Sequence, residues 1–221
     1  QAMDEIHGTA DGTQPWIMLL GDPVAHSVSP AMHNAALREL GLPGCYVARR
    51  VARDELQEAV ERLRRPPFLG ANVTVPHKEA VAELVDVETA SAVTIGAVNT
   101  IVREGTRLRG DNTDAPGLLA ALEAALGMVP YGMRVLLLGA GGAGRAAAVA
   151  LLSGGPAGLS IYNRGAPRAE ALAGAMRARF GGRVRAVDVV AAREEAGDAD
   201  LIVNATSAGL DGASLPLDGL Q

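Results

Sequence analysis

The sequence feature that most constrains the fold is the glycine-rich segment Gly139-Ala-Gly-Gly-Ala-Gly144, which lies between an apolar run and an alanine-rich run. The pattern G-x-G-x-x-G between a strand and a helix is typical of dinucleotide-binding folds, because the glycines let the backbone and the helix N-terminus approach a pyrophosphate. The alternative is a glycine-rich turn without a ligand. We predict a Rossmann-type domain whose cofactor contacts include Gly139, Ala140, Gly141, Gly142 and Ala143.

The residues expected beside the adenosine ribose favour NADP over NAD. A domain of this kind that binds NAD carries an acidic residue about 20 positions after the glycine loop, where it holds the ribose 2′-hydroxyl. Here that place reads Asn163-Arg164, and Arg168 follows four residues later. Two arginines that lie on one side of the 2′ position favour a 2′-phosphate. The alternative is that both are ordinary solvated charges.

The second half of the chain predicts a βαβαβ array. We expect strands over residues 134–138, 159–162, 184–187 and 201–204, and helices over 142–152 and 166–180. The domain boundary is placed near Thr113. The chain then divides into a disordered extension or cloning remnant (1–15), a first domain (16–113) and an incomplete Rossmann domain (114–221).

The first half predicts a second α/β domain. We expect strands over 16–21, 45–51 and 69–75, a hairpin over 97–103 and 107–110, and helices over 31–40, 53–63, 78–85 and 114–126. The last helix has Thr113 or Asp114 as its N-cap. The run from Leu69 to Val75 is apolar and predicts a buried strand, which Pro76 ends.

Lys78 is the one lysine in the chain, against nineteen arginines. An ammonium releases and regains a proton, whereas a guanidinium stays charged at any working pH, so position 78 is one where arginine does not serve. Lys78 also follows a predicted strand at its C-terminal end, the edge where open α/β sheets bind ligands. The alternative is a surface lysine retained by drift. We predict an acid/base role.

Composition limits the partners. The net charge of −5 and the pI near 5.4 argue against a nucleic-acid or anionic-membrane surface, so the expected partner is a small molecule, bound by a monomer or homodimer. Cys45 is the single cysteine, so an intrachain disulfide is excluded, which fits a cytoplasmic protein. We expect Cys45 itself to be a small buried hydrophobe. Aromatic residues are only 3%, so Val, Leu, Ile and Ala must build the core, as in helix-covered parallel sheets.

Two other site types lack support in the sequence. The histidines at 26, 33 and 77 have no metal-binding spacing and no cysteine pair beside them, so we expect packing and hydrogen-bonding roles and no metal. The nucleophile motif G-x-S-x-G of serine hydrolases does not occur.

Taken together, these segments resemble the shikimate dehydrogenase family. The likeness extends from about residue 17 to 209 and includes the glycine loop and Asn163-Arg164. The other motifs are Gly21-x-Pro23-x-x-His26-Ser-x-Ser-Pro30 with His33-Asn34, Asn72-Val-Thr-Val-Pro76-x-Lys78, Ile95-Gly-Ala-Val-Asn-Thr100, Gly110-x-Asn-Thr-Asp114 and Asn204-Ala-Thr-Ser-x-Gly209.

The resemblance implies an N-terminal substrate domain with a mostly parallel sheet, a Rossmann domain for NADP, and reversible reduction of 3-dehydroshikimate to shikimate by NADPH. It assigns the substrate carboxylate to Ser27 and Ser29, although Ser29 is also expected to N-cap the following helix. It assigns the reacting end to Lys78 and Asp114. The remaining contacts that it implies are Asn72, Thr74 and Asn99 for substrate, and Thr206 and Ser207 for the coenzyme.

Two departures from the family pattern stand out. Gly165 occupies a position where the family usually has Thr, which removes one phosphate-binding hydroxyl. The sequence given ends at Gln221, whereas the resemblance implies two further Rossmann strands, so the C-terminal part is expected to be missing. The rival functions are a quinate or aminoshikimate dehydrogenase, and a non-catalytic NADP-binding sensor, which needs the glycine loop and Arg164 but no Lys78.

Overall fold

The computed structural model of the protein describes residues 14–127, 129–209 and Leu217. The chain separates into two compact units between Asn112 and Thr113. Of the extension predicted over 1–15, residues 1–13 lie outside the described residues. The prediction of disorder is wrong for Gln14, whose Nε2 donates to the Gly44 carbonyl, and for Pro15, whose carbonyl accepts from the Cys45 N–H. Within the described residues, every helix is too short or too polar to cross a bilayer.

The first unit contains a six-stranded sheet. Its strands are β1 (Trp16–Gly21), β2 (Cys45–Arg50), β3 (Phe68–Val73), β4 (Val87–Glu88), β5 (Thr100–Glu104) and β6 (Arg107–Asp111). Its helices are α1 (Ser29–Glu39), α2 (Leu56–Arg62) and α3 (Ala90–Ile95), with 3-10 turns at Arg53–Glu55 and Ala80–Glu83. The strand order is β2-β1-β3-β5-β6-β4, in which β1 pairs in parallel with β2 and β3, and β5 pairs antiparallel with β3 and β6.

The core of this unit lies mainly between one face of the sheet and α2. The cluster consists of Met18, Leu20, Val51, Leu56, Ala59, Val60, Leu63, Ala71, Val73, Val81, Ala92, Val98, Ile101 and Leu108. A smaller cluster of Leu19, Val24 and Tyr46 forms separately. Strand residues alternate between faces, so Leu19 and Leu20 belong to different clusters.

The second unit contains a four-stranded parallel sheet in the order β10-β7-β8-β9. The strands are β7 (Arg134–Leu138), β8 (Gly158–Tyr162), β9 (Val184–Val187) and β10 (Leu201–Asn204), and the helices are α4 (Asp114–Leu126), α5 (Gly142–Ser153), α6 (Ala166–Phe180) and α7 (Val189–Asp198). Leu136, Leu138, Ala192 and Leu217 form a buried cluster beneath α7. This is the doubly wound arrangement that the βαβαβ pattern predicts.

Most predicted elements agree with the structure, but the helix predicted over 78–85 is wrong. That segment forms only the 3-10 turn Ala80–Glu83. The reason is that the Lys78 carbonyl accepts a hydrogen bond from the Val98 N–H at 2.7 Å, so it does not accept from residue 82 as an α-helix would require. The elements β4, α3 and α7 were not predicted; α7 is capped by Asp188, whose carboxylate accepts from the N–H groups of Val190 and Ala191.

Two burial predictions also need correction. The run from Leu69 to Val75 is not buried throughout, because β3 ends at Val73 and the side chains of Leu69 and Val75 are exposed. Cys45 is half-buried. It begins β2, which is an edge strand of the sheet and therefore has a neighbouring strand on only one side.

Candidate active site

The loops that follow β1, β2 and β3 meet at one edge of the first unit's sheet. Because the three strands are parallel neighbours, their carboxyl ends lie together. Backbone hydrogen bonds join the loops: Thr74 N–H donates to the Leu20 carbonyl at 2.8 Å, and Val51 N–H donates to the Gly21 carbonyl at 3.0 Å. The segments after β2 and β3 are therefore both hydrogen-bonded to the end of β1.

Gly21 is a glycine because Thr74 lies directly against it. A Cβ at position 21 would stand 2.3 Å from Cγ2 of Thr74, which is much closer than two carbon atoms can approach. The backbone N–H of Asp22 also donates to the Val75 carbonyl at 2.9 Å. The loop that begins with Gly21 is thus held against the segment that carries Thr74 and Lys78.

The turn that carries Lys78 is held in place by hydrogen bonds of His77, the preceding residue, and of Lys78 itself. His77 is only 1% exposed, and its ring Nε2 lies 2.7 Å from the Val51 carbonyl oxygen. Since a carbonyl only accepts, Nε2 must carry the proton. The His77 N–H donates to the Thr74 carbonyl, and the Lys78 carbonyl accepts from Val98. The half-buried Lys78 side chain therefore starts from a well-determined backbone position.

Ser27 and Ser29 lie at the start of α1. The helix begins at Ser29 and its N-cap position is Val28, so the expectation that Ser29 caps the helix is wrong. Instead the Ser29 N–H donates to the Ser27 hydroxyl oxygen at 3.3 Å. Both serines are half-buried and stand at a helix N-terminus, where the helix dipole favours a negative charge.

Asn72 and Asn99 come together across β3 and β5. Asn72 lies opposite Thr100 in the antiparallel register, and Asn99 immediately precedes that strand. The Thr100 hydroxyl donates to Oδ1 of Asn99 at 2.8 Å, and Asn99 is buried. Nδ2 of Asn72 also lies 3.4 Å from the Asn99 carbonyl oxygen, so these two residues meet although they are 27 positions apart.

An ion pair that the sequence analysis missed lies beside this region. The Arg50 guanidinium donates two hydrogen bonds to the Asp22 carboxylate, at 2.7 and 3.3 Å. These bonds hold the pKa of Asp22 below its usual value. The pair joins the loop after β1 to the end of β2, and no local pattern predicts it because the partners are 28 residues apart.

In the second unit, the glycine loop lies close to the start of α5 and leaves open space beside it. A Cβ on Gly144 would stand 2.2 Å from the Gly139 carbonyl oxygen, so only glycine lets α5 begin this close to the loop. By contrast, a Cβ on Gly141 would meet no protein atom within 4 Å. The absent side chain at Gly141 therefore leaves open space at the N-terminus of α5, which fits a pyrophosphate.

Asn163 orients this loop, and the two predicted phosphate-binding arginines lie beyond it. Oδ1 of Asn163 accepts from the Ala140 N–H at 3.1 Å, while Nδ2 donates to the Gly165 carbonyl. Arg164 and Arg168 are both exposed. Since α6 begins at Ala166, Arg164 precedes the helix, and the i,i+4 spacing does not by itself place the two side chains together.

The end of β10 lies against the glycine loop. A Cβ on Gly139 would approach Cγ2 of Thr206 to 3.1 Å. Thr206 itself donates from its hydroxyl to Oδ1 of Asn204 at 2.7 Å, whereas Ser207 is exposed. Asp114 is half-buried in the first turn of α4, where the helix dipole favours its carboxylate.

A cavity of about 600 Å³ occurs elsewhere in the second unit. It is lined by residues at the beginnings of β7, β8 and β9, including Arg134, Gly158 and Val184. Ligands of open α/β sheets bind at the carboxyl ends of strands, where the glycine loop is, so we do not assign this cavity to the coenzyme. Within the described part of the chain, no three His, Cys, Asp or Glu side chains are grouped to hold a metal ion.

Comparison with known proteins connects both units to one family. Residues 19–101 match the family model for a shikimate dehydrogenase substrate binding domain, and residues 124–210 match the model for shikimate / quinate 5-dehydrogenase. The shikimate dehydrogenase (NADP(+)) of Geobacter metallireducens is 46% identical over 195 residues, which are 87% of this chain and 68% of that protein.

Solved structures agree with the sequence comparison. The shikimate 5-dehydrogenase of Thermus thermophilus, in complex with NADP(H) and shikimate, is 44% identical with a TM-score of 0.78, and the match covers 89% of this chain and 70% of that one. The enzyme of Listeria monocytogenes, in complex with shikimate and NAD, is 30% identical with a TM-score of 0.81, covering 96% and 76%. The chain belongs to the shikimate dehydrogenase family.

Proposed function

We propose that this chain catalyses the reversible reduction of 3-dehydroshikimate to shikimate by NADPH. The first unit would hold the substrate and the second the coenzyme, with the division at residues 16–113 and 114–221. The observation that carries the proposal is the fixed turn of Lys78, which presents the one lysine of the chain at the carboxyl edge of the first unit's sheet.

The chain's own residues would bind the substrate by its two polar ends. Ser27 and Ser29 would donate hydrogen bonds to the carboxylate at the start of α1, where the helix dipole adds to the attraction. Asn72, Thr74 and Asn99 would bind the ring hydroxyls. Side-chain amides and a threonine hydroxyl both donate and accept, which suits hydroxyl groups.

The coenzyme would occupy the open space at Gly141, with its 2′-phosphate near Arg164 and Arg168. The other proposed contacts are Gly139, Ala140, Gly142, Ala143, Asn163, Thr206 and Ser207. When bound, NADPH supplies a hydride to the substrate carbonyl carbon. Lys78 would give a proton to the carbonyl oxygen during reduction and take it back during oxidation. The resemblance implies Asp114 as the second residue of the reacting end.

The test is substitution of Lys78. We expect Lys78→Ala to lower kcat by about 10² to 10⁴, the usual worth of acid/base catalysis, with a smaller change in KM. Lys78→Arg should not restore the rate, because arginine keeps the charge but does not release a proton. Steady-state oxidation of shikimate, followed by absorbance of the reduced nicotinamide, measures both. An arginine variant with near-normal kcat would mean that Lys78 only binds charge.

Quinate is the second candidate substrate, since the matching model for residues 124–210 describes shikimate / quinate 5-dehydrogenases. Parallel assays with shikimate and quinate decide between them through the ratio of kcat/KM. We further propose a cytoplasmic enzyme, because its single cysteine fits a reducing compartment, and an assembly that is either a monomer or a homodimer. Light scattering during size-exclusion chromatography measures the mass of the assembly.

A further inference from the structure

Four polar side chains of the first unit form one hydrogen-bonded chain across the sheet. The hydroxyl of Tyr46, on β2, donates to Oδ1 of Asn72, on β3, at 2.8 Å. Nδ2 of Asn72 lies 3.2 Å from the hydroxyl oxygen of Thr100, on β5. That hydroxyl donates to Oδ1 of Asn99 at 2.8 Å. The chain therefore includes both of the amides proposed to bind the substrate, with Asn72 inside it and Asn99 at one end.

A backbone carbonyl determines the direction of these bonds. Nδ2 of Asn72 also lies 3.4 Å from the carbonyl oxygen of Asn99, which only accepts. The amide nitrogen of Asn72 must therefore face β5, and its oxygen must face Tyr46, which has to donate. The Thr100 hydroxyl accepts from Asn72 and donates its one proton to Oδ1 of Asn99. Each amide is thus held in one of its two orientations.

Tyr46 is itself held firmly. Its N–H donates to Oδ1 of Asn34 and its carbonyl accepts from Nδ2 of the same residue, both at 2.8 Å. The ring stacks on His33 with centroids 4.3 Å apart, and the residue is 2% exposed. Burial raises the pKa of Tyr46 to about 12, so the hydroxyl keeps its proton at physiological pH.

We infer that Tyr46 and Thr100 are positioning residues, which determine the pattern of donors and acceptors that Asn72 and Asn99 present to the ring hydroxyls of the substrate. The inference rests on the proposed function. An amide turned by half a rotation exchanges a donor for an acceptor, so a ring hydroxyl that faced it would have to reverse its own role as donor or acceptor. Tyr46 and Thr100 need no contact with the substrate to have this effect.

The test compares variants that keep shape with variants that keep the hydrogen bond. Tyr46→Phe and Thr100→Val remove a hydroxyl at nearly constant volume, whereas Thr100→Ser keeps the hydroxyl and loses a methyl group. Tyr131→Phe and Thr106→Val are matched controls, since both side chains are exposed. KM and kcat for shikimate, KM for NADP, and the melting temperature are measured for each. The dissociation constant of shikimate is measured by calorimetry.

We expect Tyr46→Phe and Thr100→Val to raise the KM and the dissociation constant of shikimate by roughly threefold to tenfold, the usual effect of losing one hydrogen bond. Thr100→Ser should remain close to the wild type, and the KM for NADP should not change. In the double variant Tyr46→Phe/Thr100→Val, the dissociation constant of shikimate should rise by less than the product of the two single increases, because both substitutions interrupt the same hydrogen-bonded chain.

Other outcomes overturn the inference in distinguishable ways. If Thr100→Ser is as impaired as Thr100→Val or more so, packing is what matters at this position and the positioning role is wrong. Unchanged shikimate affinity in Tyr46→Phe and Thr100→Val also contradicts it, while leaving the proposed function intact. A wild-type protein that neither binds nor oxidises shikimate overturns the proposed function and the inference with it.

Discussion

At the scale of single residues, we propose that coenzyme choice depends on Arg164 and Arg168, two exposed arginines beyond the glycine loop. A hydrogen bond to a charged group contributes about 1.5 to 3 kcal/mol, which corresponds to about tenfold to a hundredfold in affinity. A 2′-phosphate gains this bond and a bare 2′-hydroxyl does not. The solved relative from Listeria monocytogenes, in complex with NAD, makes this choice worth measuring.

We therefore expect kcat/KM to favour NADP over NAD by at least about tenfold, on the strength of one such charge-assisted bond. Arg164→Ala should weaken NADP and leave NAD nearly unchanged. Arg183→Ala is the matched control, because Arg183 precedes β9 at the opposite end of the strands. Equal weakening of both coenzymes by Arg164→Ala would mean that the residue supports the loop and does not contact the phosphate.

At the scale of elements, the contact between the glycine loop and α5 depends on Gly144. An alanine Cβ there would overlap the Gly139 carbonyl oxygen, at 2.2 Å, so α5 must move away from the loop. We expect Gly144→Ala to lower the free energy of unfolding by about 1 to 3 kcal/mol, the usual cost of overpacking, and to weaken NADP binding. Urea unfolding and coenzyme titration measure the two effects.

Gly174→Ala is the matched control for that experiment. Gly174 lies inside α6, and a Cβ there would meet no atom within 4 Å. Alanine in a helix interior should stabilise the protein by up to about 1 kcal/mol. If both variants behaved alike, the close approach of Gly144 to the loop would have no energetic importance.

A second prediction at this scale concerns the connection between α2 and the β4–β6 pair. Arg64 and the Leu108 N–H both donate to the Asp86 carboxylate, the latter at 2.6 Å, and they lower the pKa of Asp86. A lowered folded-state pKa means that the stabilisation is fully present above the ordinary Asp pKa of about 4 and is lost as the pH falls through the folded value.

The expected result is a pH-dependent difference between the wild type and Asp86→Asn. The two free energies of unfolding should differ most above about pH 4 and converge on further acidification, because both side chains are then neutral. Arg64→Gln should show the same convergence. Chemical denaturation over a pH series measures it, and a constant difference across the series would contradict the role of this carboxylate.

At the scale of the whole molecule, each of the two compact units has its own buried cluster and its own proposed ligand. Trp16, the single tryptophan, lies in β1 of the first unit, so its fluorescence reports on that unit. A ligand at 100 times its dissociation constant stabilises the part that binds it by about 2.7 kcal/mol.

We accordingly expect shikimate to raise the melting temperature seen by Trp16 fluorescence, and NADP alone to raise a calorimetric transition with little change in the fluorescence midpoint. Calorimetry and fluorescence on the same samples make the comparison. Equal shifts of both signals by NADP alone would show that the two units unfold as one.

The local sequence was sufficient to predict the bounds of helices and strands that have a clear hydrophobic pattern. The helices at 114–126 and 166–180 and the strands at 134–138, 184–187 and 201–204 have the bounds predicted. The helix α7 was missed because its Asp188 cap was not recognised. The 3-10 turn after Lys78 was missed for a different reason, since its cause is a hydrogen bond from Val98, twenty residues away in the chain.

The sequence by itself determined the fold class, the glycine loop and the family, because these depend on residue type and on spacing along the chain; the role of Lys78 stays a prediction. Only the tertiary structure decided how the site is oriented. Tyr46 and Asn72 are 26 residues apart, and they meet because β2, β1, β3 and β5 lie side by side in the sheet. The direction of a hydrogen bond depends on which groups face each other, and a linear sequence does not contain that information until the strands have paired.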